Sequence, residues 1–148
     1  MYNTSVGNIN ALKEYAKVNV QSGVESASPH RLIQMLIDGA LAKLSQAKGH
    51  LKNKDIKKKG NDLSMAISII GGLRDSLDHD KGGSIANNLE DLYEYMTYRV
   101  MEANLKNDPQ IIDEVHGLLL EIKTAWDGLA PKTETQASES SEFEQPAA

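Results

Sequence analysis

Apolar residues recur every three or four positions in four separate stretches of this chain, and each stretch carries its own start and stop signals. The first opens at Ser28-Pro29. Serine is a favoured N-cap because its oxygen accepts from an unpaired amide, and proline is pre-set for the first helical position. Behind it Ile33, Leu36, Ala40, Leu44, Ala47 and Leu51 mark one buried face, and Asn53 with its polar neighbours ends the element. The second stretch starts near Asp55. There Ile56, Leu63, Ile70 and Leu77 fall seven apart, with Ala66 and Leu73 between them. That is a coiled-coil-like seam, suited to the shallow crossing angles of a four-helix bundle. Gly60 weakens its first turn, and Asp80-Lys81-Gly82-Gly83 is expected to stop the helix in a tight connection.

The third stretch opens at Ser84 or just after it, with Ile85, Leu89, Leu92, Met96, Val100 and Ala103 on its inner face. Asn107-Asp108-Pro109 ends it and begins the fourth, Asp108 as N-cap and Pro109 at the first helical position. Ile111, Val115, Leu118, Ile122, Ala125 and Leu129 make the fourth stripe, which Gly128 and Pro131 close. Short loops make successive helices antiparallel neighbours. The expected fold is all-α, an antiparallel up-down four-helix bundle over residues 28–131. Residues 1–27 carry Leu12, Tyr15, Val18 and Val20, too apolar for a free tail, while Gly7 and Gly23 argue against one long helix. They read as an amphipathic segment packed on the bundle. Residues 132–148 are Ser-, Glu-, Thr- and Gln-rich with a single aromatic, and read as a disordered acidic tail.

Composition narrows the function. A chain of 148 residues can bury a real core without covalent staples. It has no cysteine, which excludes disulfide frameworks, thiolate metal sites and cysteine nucleophiles. No secretory signal and no apolar run of bilayer-spanning length is present, so a cytoplasmic location is expected, with no membrane insertion. The net charge of −5 lacks the footprint of a nucleic-acid binder, and Lys57-Lys58-Lys59 reads as a solvated helix start. A di-iron bundle needs two Glu-x-x-His pairs and two further inward glutamates, whereas Asp113-x-x-His116 stands alone. Asp78-His79-Asp80 is ordinary turn chemistry before Gly82-Gly83, and those glycines follow no strand and precede no Gly-Lys-Ser signature. No nucleophile is placed by sequence. The expectation is a non-enzyme with no metal and no cofactor.

The apolar positions exceed what four single stripes need. Met65, Ile67 and Ile69 extend the second helix's surface beside Gly71-Gly72; Tyr93, Tyr95, Tyr98 and Met101 lie partly off the third's; Ile112, Leu119 and Leu120 widen the fourth's around Trp126. Two readings fit. The surplus makes a tighter core or a homodimer interface, or it forms a groove that accepts amphipathic helices from another chain, with methionine and tyrosine as adaptable contacts.

Ordered motifs then carry a resemblance. Tyr15-x-x-Val18-x-Val20 precedes Ala27-Ser28-Pro29-His30-Arg31-Leu32-Ile33-x-Met35-Leu36, followed by Asp38-Gly39-Ala40. Ala66-Ile67-x-Ile69-Ile70, Leu77-Asp78 and Lys81-Gly82-Gly83 lead into Asn88-Leu89-x-x-Leu92-Tyr93-x-Tyr95-Met96. Ala103-Asn104, Glu114-Val115-x-x-Leu118-Leu119 and Ala125-Trp126 complete the series. From about Tyr2 to Leu129 the chain resembles the FliS family of flagellar export chaperones. One departure is Ile37, where many relatives have an aromatic before Asp-Gly-Ala; an apolar side chain fills the same packing role. The resemblance implies a bundle that binds the C-terminal helical region of flagellin, prevents its premature polymerisation, and presents it to a component of the flagellar type III export gate. It also implies an N-terminal segment that covers part of the client surface and moves aside. Candidate contacts are Leu12 and Tyr15 in that segment, then Met65, Ile69, Asn88, Tyr93 and Tyr95 near the groove.

Overall fold

A computed structural model describes residues 27–129, and within them four helices follow the four apolar stretches. They are α1 (Pro29–Lys52), α2 (Ile56–Asp75), α3 (His79–Lys106) and α4 (Pro109–Asp127). The expectations for the N-terminal segment and the acidic tail concern residues outside the described ones.

Local chemistry starts and stops each helix. The Ser28 hydroxyl accepts from the Arg31 amide, and Pro29 takes the first helical position. Asp55, Asp78 and Asp108 accept in the same way at the heads of α2, α3 and α4. α1 ends at Asn53, as the polar residues there predict. α2 ends earlier than Asp80, at Asp75, because Ser76 turns its hydroxyl back to the Leu73 carbonyl at 2.7 Å. Asp78 then starts α3 six residues before Ser84. The glycines sit inside that start and kink it. Gly83 has φ +55°, which disfavours any side chain, and a Cβ on Gly82 would lie 2.8 Å from the Ala86 Cβ. At its far end α3 closes on Asn107 in the left-handed conformation.

The helices form a ring: α1 packs on α2, α2 on α3, α3 on α4 and α4 back on α1, while diagonal pairs keep their backbones apart. Cross-links show that every seam is antiparallel. His50 and Lys43, late in α1, meet Asp62 early in α2. The start and end of α2, Lys59 and Arg74, meet the end and start of α3, Asn104 and Glu90. Arg99 reaches Glu114 between α3 and α4. Lys48 reaches Asp113 and Lys123 reaches Asp38 between α4 and α1. At the end where residue 27 enters and residue 129 leaves, His30 and Trp126 stack with centroids 5.0 Å apart. Each also bonds the other's carbonyl, at 2.9 and 3.0 Å.

Inside the ring Ile37, Leu44, Leu63, Ile70, Met96, Val100, Ile112, Val115 and Leu119 are sealed from solvent. Two polar residues join them. Lys59 is 2% exposed, in contrast to the solvated run expected there, and donates to the Asn104 carbonyl and side-chain oxygen at 2.9 and 2.6 Å. Its charge faces the electronegative C-terminal turn of α3, which offsets its desolvation. Asp62 is similarly buried and held by His50 at 2.7 Å. Four residues expected in the stripes face solvent instead: Ile56, Ile85, Ala125 and Leu129. All four lie in or beside terminal turns, where no neighbouring turn continues to cover them. Leu77 falls beyond the end of α2 yet still packs on the core.

Two residues of the same expected stripe should therefore behave differently. Met96→Ala should cost about 2–5 kcal/mol of unfolding free energy, since it empties a fully buried site. Ile85→Ala, at 69% exposure, should stay within about 0.5 kcal/mol. Urea denaturation of both variants checks this.

Candidate protein-binding surface

The seam between α2 and α3 is built on two sets of positions seven apart. Gly60 faces Asn104, with 3.9 Å between a Cβ placed on the glycine and the amide oxygen, and Arg74 pairs with Glu90 at 3.2 Å. Ile67 and Thr97 occupy the midpoints of these two rows, and both are half-buried. One step outward on α2 are Ser64 and Ser68, exposed, and Gly71, where an added Cβ would meet nothing within 4 Å. Along Ser64, Ser68 and Gly71 the outer side of α2 is thus low, with only short side chains. Beside it α3 raises an apolar ridge: Tyr95, Tyr98, Met101 and Leu105 are 44%, 62%, 51% and 84% exposed. Their spacings of three, three and four keep them on one face for about 15 Å, at 1.5 Å per residue.

The ridge is braced from the α4 side. Tyr95 donates its hydroxyl to Glu114 at 2.5 Å, and Arg99 donates to the other oxygen of that carboxylate at 2.8 Å. Hydrogen bonding from Tyr95, then from Arg99, holds the Glu114 carboxyl below its ordinary range. Arg99 also reaches Glu102 at 2.6 Å, and Glu102 holds Lys106 at 2.7 Å. This chain of pairs lines the polar flank of the apolar ridge, and Met101 supplies an adaptable contact beside it.

The seven candidate contacts separate. Leu12 and Tyr15 lie outside the described residues. Ile69 is fully buried and Tyr93 is 4% exposed, so in this conformation both are core and offer no surface. Met65 is exposed on α2, three residues after Asp62, on the flank that Asp62 turns toward α1. Asn88 is exposed on α3 two turns before Tyr95, on the flank turned toward α4. The structure therefore places Met65 and the Asn88–Tyr95 pair on opposite sides of the α2–α3 face. Tyr98 and Met101 were among the surplus apolar positions, and the ridge unites them. Leu105 was overlooked; its signal is a leucine two positions past Ala103, out of step with the buried stripe.

Among the described residues no three His, Asp or Glu side chains gather as a metal site would require. His30, His50 and His79 are engaged by Trp126, Asp62, and Asn87 with Glu90. No described helix is long and apolar enough to cross a membrane.

Comparison with known proteins agrees with the motif series. The family model described as "Flagellar protein FliS" matches residues 11–133. The chain is 52% identical over 128 residues to the flagellar secretion chaperone FliS of Salmonella typhimurium, covering 86% of this chain and 95% of that protein. It is 49% identical over 120 residues to the flagellar secretion chaperone FliSB of Pseudomonas aeruginosa, covering 81% and 95%. A more distant relative, the flagellar secretion chaperone FliS of Bacillus subtilis, is 31% identical over 106 residues, 72% of this chain and 78% of that one.

Burial of Tyr93 has a measurable consequence. Desolvation pushes its phenol up to about 12 from 10.0. In the unfolded chain it ionises near 10. The contribution is complete below pH 10 and is lost as pH rises toward 12, because the unfolded chain releases the proton first. The loss amounts to about 3 kcal/mol at the upper limit. Denaturation midpoints at pH 9 and pH 11.5 should show the fall in the native chain and a smaller one in Tyr93→Phe.

Proposed function

The chain belongs to the FliS family of flagellar secretion chaperones, and we propose on that premise that its client is the C-terminal helical region of flagellin. On this reading it acts in the cytoplasm, without catalysis or a cofactor. It keeps the client from polymerising early and delivers it to a component of the flagellar type III export gate. One observation supports the client assignment above the others: the bundle's core is complete, and four large apolar side chains still stand in a row outside it on α3. A helix with its apolar face against that row and the low surface of α2 would bury what each partner alone leaves wet.

The physical demands on such a client agree with the surface. A disordered segment that folds as it binds loses conformational entropy, so its contact has to be long and mostly apolar to offset the cost. A client that touches Met65 on one flank and Asn88 with Tyr95 on the other has to cross both α2 and α3. Tyr98, Met101 and Leu105 lie in between, and Ile69 and Tyr93 support the surface from beneath. Leu12 and Tyr15 would occupy part of the same surface until the client arrives.

Titration of the full chain with the C-terminal region of flagellin should show saturable one-to-one binding with a large negative heat-capacity change. Replacing Tyr98, Met101 and Leu105 together with serine should weaken it at least tenfold, about 1.4 kcal/mol, and leave the unfolding midpoint almost unmoved. Absence of binding, with a stable dimer dissociated by the same substitutions, would overturn the client assignment and make the ridge a subunit interface.

A further inference from the structure

The two ends of the bundle differ in charge. At one end the α1–α2 corner carries Lys52, Lys54 and Lys57, all exposed, and their ammonium groups make no ion pair or hydrogen bond with described residues. Lys59 and Gly60 contact Asn104 at this same end. That contact brings the corner beside the tip of α3, where Ile56, Met101 and Leu105 form an apolar rim at 49%, 51% and 84% exposure. The opposite end, where α4 finishes, mixes Asp75, Asp78, Asp80 and Asp127 with Arg31, Arg74, Lys81 and Lys123.

We infer that the basic end is a docking surface for this chain's own segment 139–144, Glu-Ser-Ser-Glu-Phe-Glu. Charge complementarity selects it. Residues 133–148 hold Glu134, Glu139, Glu142 and Glu144 with no cation among them, and Phe143 is the chain's only phenylalanine. Three carboxylates answer the three unpaired lysines, and the ring between them answers the apolar rim. The N-terminal segment lacks this match, since Lys13 and Lys17 balance Glu14 and Glu25. Reach is sufficient for the end of the segment. Fifteen residues from Leu129 to Glu144 extend up to about 50 Å. The distance to cover is about 28 Å for the length of α4 and about 14 Å more across the bundle to the diagonal α2. The inference rests on the charge pattern and does not depend on which client is bound.

The absence of cysteine makes the test direct. A nitroxide is attached to Ser141→Cys in the full chain, and paramagnetic broadening of backbone amides is recorded. The inference expects broadening concentrated at residues 52–58 and 101–106. It should disappear when Glu139, Glu142 and Glu144 become Gln and Phe143 becomes Ala, and weaken strongly at about 1 M salt, where the screening length falls to about 3 Å. Broadening spread evenly over the surface, or centred on another face, overturns it. So does broadening that persists when the nitroxide and the isotope label are on different molecules, which would assign the surface to a second copy.

Discussion

A ring of four helices with no diagonal contact gives each helix two neighbours and one shared centre, and this sets how much apolar surface the fold can hide. The hidden arc is wider than a two-residue seam and narrower than half a helix. Residues at the centre of the arc are sealed from solvent, as Ile70, Met96 and Val115 are. Apolar residues beyond it have nowhere to go within the chain. The exposed row on α3 is a direct product of that geometry.

Polar residues at the seams decide which ring forms. An apolar stripe is tolerant of a slide by one turn, but Lys59 and Asp62 are not. Each is buried beside a partner on another helix, Asn104 for one and His50 for the other, and a slipped register would strand both charges. The exposed pairs, such as Lys48 with Asp113, add little energy individually. Spread over the seams, they agree with the buried pair on a single alignment.

Much of this was legible in the sequence, for identifiable reasons. Caps such as Ser28, Asp55 and Asp108 act within three residues, so local pattern places them well. Most of the buried face of α1 follows from period, with Leu36, Ala40, Leu44 and Ala47 buried as spaced, whereas the buried face of α4 is rotated toward Ile112 and Leu119, away from Ala125 and Leu129. What period cannot supply is the tertiary surrounding. Ile56 and Ile85 share the spacing of buried residues, yet end turns leave them wet. Lys59 belongs to a lysine run that looks solvated, and only the nearby end of α3 explains its burial. Gly82 and Gly83 read as the connection itself, but they lie inside the next helix and kink it, since Ser76 had already ended the previous one. The binding surface was the least legible part. Whether Ile69, Tyr93 or Tyr98 faces inward depends on the width of the hidden arc, which is a property of the ring and not of any one helix.

The stacked pair at the open end gives the molecule an unplanned instrument. Trp126 is the chain's only tryptophan, and its indole lies against the imidazole of His30 where both flanking segments join the bundle. An indole released from that stack and its hydrogen bond to the His30 carbonyl meets more water, and its emission shifts to longer wavelength. Light emitted by this single residue therefore reports, without any added dye, whether the start of α1 and the end of α4 are together.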